Sequence, residues 1–190
     1  MAEAKPKIFE DGRDMIYSVL VIVAVMAVSV AFTGVCSFDR GTPENAQVQE
    51  VEAQTFLTLE ARTQPFPVRY PQMPTQWLTN SARRAVVAGQ SASVVGWVIG
   101  NDSYLQLVQT AAPSDELAER YDTHVRSFVR DYQLAGKTVS VYGSTERGVR
   151  SLRIIDLVDV RLVVTGAATD EQFDELIQTT LATDAIPSRG

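Results

Sequence analysis

The sequence predicts an α+β protein. An N-terminal transmembrane helix is followed by one antiparallel sheet with helices on one face, in the order β-β-β-α-β-β-β-α. Three observations carry this reading. The stretch from Met15 to Val35 holds no charged side chain. Beyond it, short β-rich runs come in groups, and each group closes with a helical pattern. Strands grouped in this way, with helices at the group ends, indicate an antiparallel sheet rather than alternating βαβ units.

Composition narrows the class. The chain has 190 residues, 45% of them apolar, and 17 basic against 23 acidic residues give a net charge of −6. That length suits one domain with appendages, and the apolar fraction argues against wholesale disorder. A single Cys excludes an internal disulfide framework, and one Cys with one His excludes a Cys/His zinc site. The acidic balance argues against a nucleic-acid partner. No metal and no cofactor are expected.

At about 1.5 Å per residue, a helix over 15–35 is roughly 30 Å long, the thickness of a bilayer's hydrocarbon core. Tyr17 lies near one end, at headgroup level. Lys5, Lys7 and Arg13 precede the run and Arg40 follows it, so the N-terminus is expected in the cytoplasm and the C-terminal domain outside the plasma membrane. Two alternatives are a signal peptide cleaved after Ser29-Val30-Ala31 and acylation of Cys36. The apolar run continues past the first site, and Val35 stands where a lipobox wants a small residue. An uncleaved anchor is therefore the expectation. The chain divides into a cytoplasmic tail (1–14), the anchor (15–35), a linker and stalk (36–61), an extracytoplasmic domain (62–183) and a flexible tail (184–190). Beyond the anchor Lys137 is the single Lys and all other basic residues are Arg, a bias that suits a GC-rich genome.

Asp39 to Ala53 is polar and reads as linker, with a weak helical spacing of Val48, Val51, Thr55 and Leu59 suggesting a short stalk helix over Gln47–Ala61. Pro65 to Pro74 carries four prolines, which fix φ and remove donors. This arm should lie extended across the domain, burying Phe66, Val68, Tyr70 and Met73. Strands are predicted over Arg83–Gly89, Val94–Gly100 and Tyr104–Thr110, the last two joined by a turn at Asn101-Asp102-Ser103. A helix follows, capped by Ser114, with Asp115 and Glu116 in its first turn. Its stripe is Leu117, Tyr121, Val125, Phe128, Val129 and Tyr132, and Gly136 stops it. Lys137–Tyr142, Val149–Ile155 and Val158–Thr165 are further strands. The last helix opens with a Thr169/Gln172 capping box and buries Phe173, Leu176, Ile177 and Leu181.

This combination resembles an actinobacterial family of single-pass membrane proteins, the domain of unknown function 4245. The resemblance rests on Gly12-Arg13-Asp14 before the anchor, Pro65-Phe66-Pro67-Val68-Arg69 with Pro71 and Pro74, and Trp77 with Asn80-Ser81. Gln109 at a strand end and Val164-Thr165-Gly166-Ala167 before the last helix complete it. Tyr142 and Gln76 depart from the family pattern. The resemblance covers nearly the whole chain. It implies topology and source, and no activity.

Candidate chemistry is sparse. His124 is the one possible imidazole base, and Asp122, two residues away, would not face it on a helix. Glu146, Asp156 and Asp159 read as turn acids, and Asp170, Glu171, Asp174 and Glu175 as dipole partners of the last helix. Gly143 and Gly148 make a turn, not a phosphate loop. Asn101-Asp102-Ser103 fits a glycosylation sequon only incidentally. The candidate contact residues are Arg147, Arg150 and Arg153, which could meet anionic headgroups or a wall polymer, and Phe66, Tyr70 and Trp77 along the Pro-rich arm. The plainer readings are a charged strand edge and a structural wrap. The expected function is non-enzymatic: an accessory or scaffold component of the envelope, anchored in the bilayer through 15–35 and meeting an envelope protein partner. The alternative is a lipid- or small-ligand-binding module at the outer membrane face, with a pocket lined by Trp97, Tyr104 and Phe128.

Overall fold

The computed structural model describes residues 12–33 and 51–188, with side chains placed over 15–29 and 51–188. The tail 1–11, Cys36 and the linker up to residue 50 lie outside the described residues. Helix α1 spans Gly12–Thr33. Among the described residues no helix is long and apolar enough to cross a membrane. A transmembrane helix over 15–35 is therefore not among the elements established by the structure.

The described residues from 51 onward form a unit separate from α1. Its elements are α2 (Ala53–Thr63), β1 (Trp77–Val87), β2 (Gln90–Ile99), β3 (Ser103–Thr110), α3 (Ser114–Arg120), β4 (Ser127–Leu134), β5 (Lys137–Gly143), β6 (Leu152–Asp156), β7 (Arg161–Ala167) and α4 (Asp170–Ala182). All seven strands form one sheet in the order β1-β2-β3-β7-β6-β5-β4, and every neighbouring pair is antiparallel. The expected α+β sheet is present, but its order gains a strand, β4, and the helices do not share a face.

Alternation along the strands builds two cores. On one face Val95, Trp97, Leu105, Leu107, Ile155, Leu162 and Val164 meet Leu57 of α2, Phe66 and Val68 of the arm, and Phe173, Leu176 and Ile177 of α4. On the other, Val94, Val108, Leu152, Ile154 and Val163 meet Leu117 and Ala118 of α3. A sheet this apolar on both faces must be covered on both, so helices on one face alone would leave Val108 and Val163 in water.

The corrections have local causes. The helix expected from Ser114 through Tyr132 ends at Arg120. Pro113 is its N-cap, and the Ser114 hydroxyl donates instead to Asp156 (2.9 Å). Past that point the same apolar residues form β4, because Ala135 and Gly136, at φ 50° and 74°, close a two-residue turn pairing Leu134 with Lys137. Both φ values are those of the primed hairpin turn, so Gly136 turns a hairpin rather than stopping a helix. Ala88 and Gly89 do the same between β1 and β2.

The helix near the expected stalk, α2, is part of the core: Ala53, Leu57 and Ala61 are buried, while Leu59, placed on the apolar stripe by sequence, faces solvent. Its Glu60 is buried and accepts hydrogen bonds from Arg84, Gln64 and Ser93, which bolts α2 to β1 and β2. The Pro-rich arm is extended and buries Phe66 and Val68 as expected. Gln109 holds it, accepting from the Arg69 N–H (2.7 Å) and donating to the Arg69 carbonyl (2.8 Å). At the chain's end the Ile186 N–H donates to the Val68 carbonyl (2.8 Å). The capping box of α4 is present at Thr169 and Gln172.

Burial pushes the Glu60 carboxyl up, but its hydrogen bonds from Arg84, Gln64 and Ser93 outweigh this and hold it below its ordinary 4.5. A depressed folded-state pKa contributes stability that is present above the unfolded value and lost as pH falls through the folded value. Glu60→Gln should cost about 1–3 kcal/mol at pH 7 in urea denaturation, and the deficit should shrink below pH 4; a pH-independent deficit would contradict this. At the β6–β7 turn Val158 sits at φ 75° and is 84% exposed. A β-branched side chain is strained there and Asn is not. Val158→Asn should raise stability by about 1 kcal/mol, read as a higher urea midpoint.

Candidate functional site

The link between α3 and β4 organises the surface. The chain bends through Asp122 to His124 and then runs through Val125 and Arg126 into β4, and alternate residues of the segment line two different concavities. Asp122, His124 and Arg126 line a cleft of about 340 Å3 with Tyr104, Gln106, Tyr121, Arg150 and Thr165. Thr123, Val125, Ser127 and Val129 line a second, separate groove of about 510 Å3 with Gly143 to Glu146.

One ion pair sets this segment. Asp122 accepts from the His124 N–H (2.9 Å) and takes both terminal nitrogens of Arg126 (2.7 and 2.8 Å). Arg126 also donates through Nε to the Arg150 carbonyl (2.8 Å), and its side chain is only 3% exposed. The guanidinium therefore clips the segment to the loop before β6. The Arg126 hydrogen bond holds the Asp122 carboxyl below its ordinary range, with the His124 N–H adding to the effect.

The floor of the cleft comes from β3 and β7. Gln106 donates to the Tyr121 hydroxyl (3.0 Å), whose own pKa is raised by burial. The Tyr104 hydroxyl lies 3.5 Å from the Gln106 carbonyl oxygen. Two glycines make room. A Cβ on Gly96 would fall 2.3 Å from the Tyr104 hydroxyl oxygen, and one on Gly166 would fall 2.1 Å from the Tyr104 carbonyl oxygen. Thr165 donates to the Ser151 carbonyl (2.7 Å) and fixes the wall.

The residues singled out by sequence are scattered. Phe66 and Trp77 are core residues, and Tyr70 is half-buried with its hydroxyl 3.3 Å from that of Thr79. Arg147 and Arg150 are exposed, but Arg153 is buried on the opposite face. It donates to Tyr132 (2.9 Å) and pairs with Asp170 and Asp174, and its guanidinium lies 4.0 Å from the Phe173 ring centre. Burial, then the Asp174 carboxylate, push the Tyr132 hydroxyl up to about 12. Trp97, Tyr104 and Phe128 do not share a pocket: Trp97 is inside the α2/α4 core, Tyr104 lines the cleft, and Phe128 is 57% exposed on β4 against Tyr142.

His124 approaches Glu146 (3.3 Å) at the surface, and among the described residues no hydroxyl or thiol completes a nucleophilic set with them. No group of three or more His, Cys, Asp or Glu among the described residues could hold a metal. Among the described residues the cleft does not align a nucleophile with a base. Sequence reading missed Gln106, Tyr121 and Arg126 as cleft residues. The usable signals were Gly96 and Gly166, glycines inside strands where a bulky group or another backbone approaches closely.

The fold and cleft define a class: a fully antiparallel sheet sandwiched between helices, carrying a polar surface cleft beside an apolar groove. The chain belongs to the family described as protein of unknown function DUF4245, which it matches over residues 7–180. Comparisons with curated proteins and with solved structures give no match.

The burial of Arg153 separates it from its neighbours. Arg153→Gln should cost about 2–4 kcal/mol in urea denaturation, because it removes the buried guanidinium's ion pairs with Asp174 and Asp170 and its packing on Phe173. Arg147→Gln and Arg150→Gln should each stay within about 0.5 kcal/mol of the parent; three equal losses would refute this division.

Proposed function

We propose that this chain is a non-enzymatic, membrane-anchored envelope protein, an accessory or scaffold component that presents its α+β domain outside the plasma membrane. The observation that carries the reading is the uncovered end of the sheet at β4. Among the described residues this strand pairs with β5 alone, and Val125 just before it and Phe128 and Val129 within it are 81%, 57% and 58% exposed. A free strand edge offers unpaired backbone N–H and C=O groups, and the adjoining apolar side chains add affinity for an extended segment of a protein partner.

The anchor is supported by the charge-free run from Met15 to Val35 and by the helix Gly12–Thr33, whose placed apolar side chains point in every direction. A helix apolar all round is suited to lipid or to a core, not to water. Arg in place of Lys supports a GC-rich actinobacterial source.

In-cell crosslinking and affinity purification of the tagged full-length chain tests the reading. A protein partner should be captured near stoichiometrically, lost with Phe128→Asp, and kept with Leu59→Asp on the exposed side of α2. Capture indifferent to Phe128→Asp, or no partner across growth conditions, would overturn it.

A further inference from the structure

We propose that the cleft bounded by Tyr121, Arg126 and β3 binds a small ligand through a singly charged oxyanion group, a carboxylate or a phosphodiester, held by Arg150, Tyr121 and Tyr104. The inference comes from which hydrogen-bonding groups are already used. Among the described residues Asp122 is the one carboxylate lining the cleft, and both its oxygens are taken by Arg126. That pair is charge-neutral and leaves the cleft no free anionic acceptor.

The donors are less committed. The Tyr121 oxygen accepts from Gln106, and its proton has no acceptor among the described residues. The Tyr104 proton has only the 3.5 Å contact to Gln106, too long to hold it firmly. The Arg150 guanidinium makes no ion pair or hydrogen bond among the described residues; only its carbonyl is used. Arg83 also acts electrostatically on the Tyr121 hydroxyl. A site with free donors, one unpaired lining cation and no free acid is complementary to an acceptor-rich group of charge −1. A dianionic phosphate would leave one charge unmatched. The cleft, at about 340 Å3, accommodates a body the size of a monosaccharide beside the two tyrosine rings.

The test uses the full-length chain in micelles of a neutral detergent, titrated calorimetrically with D-glucuronate, a carboxylate, and with glycerophosphoglycerol, a phosphodiester. At least one should bind saturably at a single site, and the one that binds more tightly identifies the group. Arg150→Gln should weaken that binding about tenfold with the thermal midpoint unchanged, and Tyr121→Phe should weaken it several-fold. Arg147→Gln, outside the cleft, should bind as the parent does. Saturation by neither ligand would overturn the proposal. So would equal binding by the parent and Arg150→Gln, or equal binding of neutral methyl glucoside. Phe128→Asp leaves this cleft intact, so the outcome is independent of whether a protein partner docks at β4.

Discussion

The domain depends on the ladder between β3 and β7. It pairs seven residues, from Tyr104 with Ala167 to Thr110 with Arg161, and joins two sets of hairpin-linked strands that otherwise share no edge. β1-β2-β3 and β4-β5-β6-β7 are each local in sequence. Only this central seam brings Leu105 and Leu107 against Leu162 and Val164 and creates the continuous core on which α2, α4 and the Pro-rich arm pack. Gly166 is the point of closest approach, where a Cβ would overlap the Tyr104 carbonyl. The seam thus needs glycine at that position for steric reasons, apart from any demand of a turn.

The same topology produces the cleft. Because β4 lies at the far edge, the chain leaving β3 must cross the sheet, and α3 with the Asp122–Val129 segment makes that crossing. Arg126, clipped to Asp122 and to the Arg150 carbonyl, fixes where the crossing segment lies, and Gln106 meets Tyr121 from below. Polar groups from β3, β7 and the loop before β6 therefore converge although they are far apart in sequence. On the other side of the segment the apolar side chains are left without cover.

Much of the sheet was legible in the residues. Asn101-Asp102-Ser103 marked the β2–β3 turn, the Pro-rich arm could be neither helix nor interior strand, and Thr169 with Gln172 announced α4. The sequence misled where two periods coincide. Val125, Phe128, Val129 and Tyr132 satisfy a helical stripe, yet over 127–134 they also suit a strand, and the Ala135-Gly136 turn decides between them. Short apolar runs carry both patterns, so only pairing with β5 resolves the choice. Similarly, Arg147, Arg150 and Arg153 look alike in sequence, but period-2 alternation and the acids of α4 draw only Arg153 inside. The cleft was the least legible part, since its groups meet only through the β3–β7 seam and the crossing.

The order in which the chain emerges during synthesis gives that seam a further meaning. β3 ends at Thr110 and its second partner, β7, does not begin until Arg161, so roughly fifty residues must be made before the inner edge of β3 is paired. Until then a strand containing Leu105, Leu107 and Val108, apolar on both faces once folded, presents a bare edge to anything nearby. The nascent domain is thus most vulnerable to intermolecular pairing in the interval when its first three strands are complete and its last is still unmade. Whatever shields the growing chain has to act across that interval.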